Sequence, residues 1–113
     1  MRNGGVTDSL DLVVIALCLD YWRRDKIIRE RSAERRTDTE FRYLNFYIYD
    51  AAAEIVGEGL AEIFIKEIGE KIGYANSAAF DHMSEATYKI RKKRVKDRIA
   101  EKLHLTDAEK INN

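Results

Sequence analysis

Apolar residues at helical spacing lead up to a glycine in the middle of this chain, and this pattern constrains its fold more than any other. Phe64, Ile68 and Ile72 repeat every four residues, which predicts a helix with one buried side. Gly69 lies among them and is small enough to let another helix cross closely. Gly73 follows at a position suited to a left-handed helix end. The segment therefore predicts a packed helix that stops at Gly73.

The start of the next helix is open to two interpretations. Ser77 is suited to cap a helix that runs to Leu103, whereas Ser84 is suited to cap a shorter one with the same end. Both alternatives bring Tyr88 and Ile99 to one side, which is the predicted core. The side chains left pointing outward are Lys89, Lys93, Lys96 and Asp97.

Two more helices are predicted within the first 60 residues. In chain order, the helix that ends at Gly73 is then the third, with predicted bounds of residues 60–72. Apolar residues step by three or four over residues 8–31 and again over residues 37–55. Residues 57–59, Gly-Glu-Gly, interrupt this pattern. Because the chain has no proline and only 6 glycines, its composition offers few other breaks. We therefore expect an all-α protein.

A length of 113 residues suffices for one helical core, so we expect a single all-α domain over residues 1–113. Its predicted form is a compact four-helix domain with a C-terminal helix-turn-helix and a short extra turn at residues 106–109. Residues 8–56 are the predicted scaffold. Residues 60–103 hold the predicted helix-turn-helix and its basic helix.

The formal net charge is zero, but the charges are unevenly distributed along the chain. Residues 1–43 carry nine bases and eight acids, residues 44–87 carry two and eight, and residues 88–113 carry nine and four. The three segments therefore have net charges of +1, −6 and +5. A basic segment attracts a polyanion locally, because salt screens charges beyond roughly 8–10 Å. This distribution favours a polyphosphate partner for the C-terminal third.

Two resemblances overlap in that region. The spacing over residues 68–79 is similar to a helix-turn-helix, and residues 74–80 resemble the second-helix start of AraC-type regulators. Residues 84–99 are similar to the recognition helix of sigma-factor region 4 and of small phage late-gene regulators of the ArpU and RinA type. Both resemblances imply DNA binding, but they disagree on register. In the sigma-like pattern the serine follows the Gly-Tyr pair almost directly, whereas here nine residues, 75–83, lie between that pair and Ser84.

The two registers imply different DNA contacts. In the AraC-like register, the residues expected at base edges are Asn76, Ser77, Ala78, Asp81 and His82, and those expected at phosphates are Lys89, Lys92, Lys93, Arg94 and Lys96. In the sigma-like register, the residues that enter the groove are Ser84, Glu85, Thr87, Lys89 and Arg91.

Double-stranded DNA is thus the predicted partner, and sequence-specific regulation of transcription in a bacterium or prophage is the predicted function. We also expect a homodimer, because DNA readers of this size gain a second half-site by pairing. Its interface is expected on the first helix and on the second, which carries Tyr43, Phe46, Tyr47 and Tyr49. One alternative is a phage or mobile-element inhibitor that binds a protein, such as a defence nuclease, through its acidic segment. A plain helical assembly module is another.

No pattern predicts catalysis, a metal site or a cofactor. His82 and His104 match no metal-ligand spacing, and Cys18 is a lone cysteine within an apolar run, where burial is expected. That run, residues 12–19, is shorter than the roughly 20 residues needed to span a bilayer. No secretion signal precedes it, so we expect a cytoplasmic protein without a membrane segment.

Overall fold

Five α-helices account for most of the residues that the structure, a computed structural model, describes; these are residues 8–30 and 36–105. In chain order the helices are α1 (Asp8–Leu19), α2 (Tyr21–Glu30), α3 (Arg36–Val56), α4 (Glu58–Gly69) and α5 (Glu85–Lys102). A 3₁₀ turn covers Tyr74–Asn76, and no strand occurs within the described ranges. The predicted all-α class is confirmed. The predicted terminal turn at residues 106–109 lies outside the described residues.

The helix predicted over residues 8–31 is divided at Asp20 into α1 and α2. Backbone hydrogen bonds continue through the division, because the Asp20 amide donates to Ala16 and the Arg24 amide donates to Asp20. The Arg24 side chain, only 6% exposed, donates to the Leu17 carbonyl at 2.6 Å and to Asn45 Oδ1 at 2.7 Å. A buried arginine therefore bridges the junction of α1 and α2 and ties it to α3. Nothing in the apolar pattern predicted this arrangement.

The core lies where α1 and α3 pack against α4 and α5. Its fully buried larger side chains are Val14, Cys18, Ile48, Phe64, Ile65, Ile68, Tyr88, Val95 and Ile99. The predicted buried side of α5 is thus confirmed. Cys18 is buried as expected, and burial raises the pKa of its thiol to about 12. Gly69 is also buried, at the point where α4 crosses the end of α1.

The predicted end of α4 at Gly73 is wrong, because the left-handed residue is Lys71, with φ of 58°. The Ile72 amide donates to the Glu67 carbonyl and the Lys71 amide donates to the Ile68 carbonyl, which is the Schellman arrangement of a helix end. Gly73 itself has an extended backbone. α5 ends in the same way, with His104 at φ of 60°.

Of the two predicted starts for the last helix, Ser84 is the one observed. Its Oγ accepts from the Thr87 amide at 3.2 Å, and α5 begins at the next residue. The start at Ser77 is wrong, since Ser77 has an extended backbone and residues 78–82 form turns. The connection from α4 to α5 therefore spans residues 70–84, whereas the turn of a DNA-binding helix-turn-helix has about three or four residues.

Candidate nucleic-acid interface

The basic residues of α5 fall on two sides of the helix, separated by the buried side and by the outermost residues. At 100° per residue, one group, here called the lysine side, consists of Lys89, Lys92, Lys93 and Lys96. The other group, here called the arginine side, consists of Arg91, Arg94, Arg98 and Lys102. The residues predicted to contact phosphate are thus not all together, because Arg94 lies away from the four lysines.

The lysine side borders a surface concavity of about 240 Å³, lined by the four lysines together with Asp11 and Asp97. Lys89 Nζ lies 3.1 Å from Glu85, and Lys93 Nζ lies 2.9 Å from Asp97. Both are pairs between exposed residues one turn apart, and such pairs contribute only about 0.3–0.5 kcal/mol. The carboxylates therefore hold these two lysines only weakly.

Lys92 and Lys96 are held more firmly than Lys89 and Lys93. The Lys92 ammonium donates to the Ile72 carbonyl and lies 5.3 Å from the centre of the Tyr88 ring. Burial, and then the charge of Lys96, lower the pKa of Lys92. Lys96 Nζ is 3.0 Å from Asp11, so it joins α5 to α1. Both lysines contribute positive charge to the concavity while also supporting the fold.

The C-terminal half of the arginine side is neutralised by acids of α3. Arg98 Nε is 2.8 Å from Glu54, and Lys102 Nζ is 2.7 Å from Glu54 and 2.8 Å from Asp50. The hydrogen bond from Lys102, with that from Arg98, lowers the pKa of Glu54 to about 2. Part of the acidic middle segment thus pairs with the basic helix of the same chain. Among the described residues Arg91 and Arg94 have no acidic partner.

Glu54 gives a testable pH dependence. Its pKa falls from an ordinary value of 4.5 to about 2 on folding, so its ion pairs stabilise the fold above pH 4.5 and are lost as the pH falls towards about 2. Urea unfolding should therefore show wild type more stable than Glu54→Gln near neutral pH, with the difference shrinking in acid. The loss of stability caused by Glu54→Gln should also be smaller when Lys102 has already been replaced with glutamine. A difference that is the same at every pH would contradict this assignment.

The base-reading residues predicted by the AraC-like register do not lie on a helix beginning at Ser77, so that helical arrangement is wrong. Asn76, Ala78, Asp81 and His82 are exposed within the connection. Ser77 is buried, and its Oγ donates to Glu67 Oε1 at 2.6 Å. This hydroxyl is therefore directed into the protein.

Ser84 and Thr87, which the sigma-like register assigns to the groove, are both engaged in the α5 cap. The two hydroxyls are 3.1 Å apart and hydrogen bonded, and the Ser84 oxygen also accepts from the Thr87 amide. Thr87 projects from α5 on the side opposite Lys89 and Lys96. Ser84 and Thr87 therefore stabilise the start of α5, but neither residue is part of the lysine side.

A buried carboxylate on α4, Glu67, supports this region. It is 3% exposed and accepts from Ser77 Oγ, from the Ala78 amide at 2.7 Å and from the Tyr88 hydroxyl at 2.8 Å. Burial, with the bond to Glu67, raises the pKa of Tyr88 to about 12. The sequence held a signal for this site, because Glu67 follows Phe64 by three positions and shares its buried side.

No group of three or more potential metal ligands is found within residues 8–30 and 36–105. None of the helices in those ranges combines the length and apolar character required to cross a bilayer. Searches of protein-family models, of curated proteins and of solved structures give no match to this chain. A function therefore has to be argued from the geometry of the chain itself.

Proposed function

We propose that this protein binds the phosphate backbone of double-stranded DNA along the lysine side of α5. The observation that carries the proposal is the shared concavity of Lys89, Lys92, Lys93 and Lys96. Four ammonium groups along about two turns of helix suit closely spaced phosphates, which repeat along each DNA strand. The weak exposed pairs with Glu85 and Asp97 leave two of the lysines available for exchange.

The proposal concerns the backbone, and backbone contacts determine affinity and position rather than sequence preference. Sequence-specific reading, and with it the regulation of transcription, remains a prediction from the resemblance to phage late-gene and sigma-factor proteins. Of the side chains that the AraC-like register assigns to base edges, those of Asn76, Asp81 and His82 are polar and exposed in the connection before α5.

Inhibition of a protein partner through the acidic segment has less support. Three of the acids that would form such a surface are already used within the chain, because Asp50 and Glu54 pair with α5 and Glu67 is buried. Glu62 on α4 and Glu70 directly after it remain exposed. An imitation of nucleic acid needs a row of free negative charges, so we favour the cationic surface as the binding site.

The test is a salt titration of binding to random-sequence duplex DNA, followed by fluorescence anisotropy. Replacing Lys89 and Lys93 with glutamine should reduce the slope of log affinity against log salt by about two per bound chain, because each lost phosphate contact contributes roughly 0.9. The matched control changes Arg91 and Arg94 to glutamine. It removes the same charge from the same helix, on the other side, and should reduce the slope less.

Two results would count against the proposal. One is the absence of binding by the wild-type protein at about 50 mM salt, where backbone contacts are strong. The other is a larger loss of slope in the arginine variant than in the lysine variant, which would assign the phosphates to the arginine side. Circular dichroism of both variants should match wild type, because none of the four positions belongs to the buried core.

A further inference from the structure

The outer side of α1 exposes an apolar surface that is unusual for a helix in a monomer. Its large members are Leu12 (59% exposed), Leu19 (57%) and Val13, with Ala16 between them and Trp22 at the start of α2. These five residues are here called the α1 face. At 100° per residue, the four residues from α1 fall within about a third of its circumference. None of the five carries a charge.

The opposite side of α1 is apolar as well. Val14 and Cys18 are fully buried, and the end of α1 packs against α4 at Gly69. Residues 12–19 of α1 are thus apolar on both sides, whereas Asp11 before them pairs with Lys96, and a helix with two apolar sides is normally covered on both. The molecule measures 43 × 41 × 20 Å, and its shortest dimension is about two helix diameters. No element of the described chain covers the α1 face.

We propose that a second copy of this chain covers the α1 face, in a two-fold symmetric dimer with antiparallel α1 helices. Ala16 lies between Leu12 and Leu19, so a two-fold axis beside Ala16 would bring Leu12 of each copy next to Leu19 of the other. The small Ala16 side chain allows the helix backbones to approach closely at the axis. The surface is therefore complementary to itself.

The exposed area of the α1 face and the net charge of the chain are both consistent with a second copy as the partner. The four large side chains of the α1 face together expose roughly 400 Å², about half of the 800 Å² that each partner contributes to a standard interface. The rim can supply the remainder, because Asp20 and Arg23, and Lys66 and Glu70, form exposed pairs of opposite charge beside the face. The net charge of zero also removes long-range repulsion between copies.

The aromatic side of α3, which the sequence placed at the dimer interface together with the first helix, is a weaker candidate. Tyr43 and Phe46 are 62% and 60% exposed and border a groove of about 620 Å³. That groove also contains Asp25 and Arg42, and the tyrosine hydroxyls favour contact with water. The α1 face has no charged group and only one polar group, the indole N–H of Trp22, so its exposure to water costs more.

Sedimentation velocity over a concentration series, without DNA, tests the proposal independently of the proposed function. We expect wild type at twice the chain mass of 13.1 kDa and the double variant Leu12→Glu with Leu19→Glu at the chain mass. The matched control is Tyr43→Glu with Phe46→Glu, which adds the same charge at equally exposed positions and should remain dimeric. A monomeric wild type at every concentration, or dissociation by the α3 variant alone, would overturn the proposal.

A cross-link provides a second measurement that does not depend on a destabilising charge. In an Ala16→Cys variant, a copper-phenanthroline oxidant should couple the two copies through a disulfide, which requires Cα atoms about 4.4–6.8 Å apart. The native Cys18 is buried and should not react. The control, Phe46→Cys, should give little covalent dimer. Efficient coupling of the control together with failure at Ala16→Cys would reject the α1 face as the interface.

Discussion

Gly69→Ala should destabilise the protein by about 3 kcal/mol or more, although alanine normally stabilises a helix relative to glycine by roughly 1 kcal/mol. A Cβ atom at Gly69 would lie 2.6 Å from the Leu19 amide nitrogen, 2.7 Å from its Cα and 2.9 Å from the Cys18 carbonyl carbon. All three are backbone atoms, so no side-chain rotation can relieve the overlap. Either α1 moves away from α4 or the core loses its packing.

Urea unfolding of Gly69→Ala beside Gly59→Ala gives the matched comparison, because both glycines belong to α4. A Cβ at Gly59 meets nothing within 4 Å, so Gly59→Ala should raise the free energy of unfolding by about 0.4–1 kcal/mol. The two variants should therefore change stability in opposite directions. If Gly69→Ala were as stable as wild type, the close crossing of α1 and α4 would be incorrect.

The crossing at Gly69 and the buried side of α5 were both predicted from the sequence. Each depends on a local pattern, in which apolar residues recur every three or four positions and a small residue lies among them. Such patterns determine which side of a helix is buried, whatever the helix then contacts. This is why Phe64, Ile68, Tyr88 and Ile99 were assigned correctly to the core.

The end of α4 was predicted less well than the other helix ends, because tertiary packing outweighed residue preference. Glycine is the usual left-handed residue, yet Lys71 and His104 adopt that conformation at a cost of roughly 1–2 kcal/mol each. In both cases the next residue is a large aliphatic one, Ile72 or Leu105, and is only partly exposed. Leu105 packs against the core, and the amides of both residues complete the hydrogen bonds of the helix end. These contacts offset the backbone strain, and the preference of glycine for such positions could not reveal them.

The division of the basic helix into two sides also depends on contacts that a sequence does not display. Lys96 pairs with Asp11, and Lys102 pairs with Asp50 and Glu54, all of which are far away along the chain. Counting charges by segment identified the basic region. The charge count did not identify which cations are neutralised by the rest of the chain. That neutralisation, seen only in the structure, reduces the candidate site to the lysine side.

Glu67→Ala should have the second large effect, a loss of about 3 kcal/mol of stability. The substitution removes the acceptor for three donors, the Ser77 and Tyr88 hydroxyls and the Ala78 amide, and the two hydroxyls belong to buried residues. An unsatisfied buried donor costs about 1–3 kcal/mol, and a small cavity adds to that cost. Urea unfolding gives the total effect. Hydrogen exchange at the Ala78 amide should accelerate most, because its bond to the carboxylate is lost directly.

Glu70→Ala is the matched control, since Glu70 is an exposed carboxylate of the same segment whose pair with Lys66 spans 3.6 Å. Its loss should change stability by no more than about 0.5 kcal/mol. Glu67→Ala, in contrast, should also weaken DNA binding if the lysine side is the site, because Tyr88 supports Lys92 from within the same network. Equal effects of the two substitutions on stability would mean that burying the Glu67 charge costs as much as its three hydrogen bonds return. The connection between α4 and α5 would then have to be held by the packing of Tyr74 against Phe80 and Tyr88.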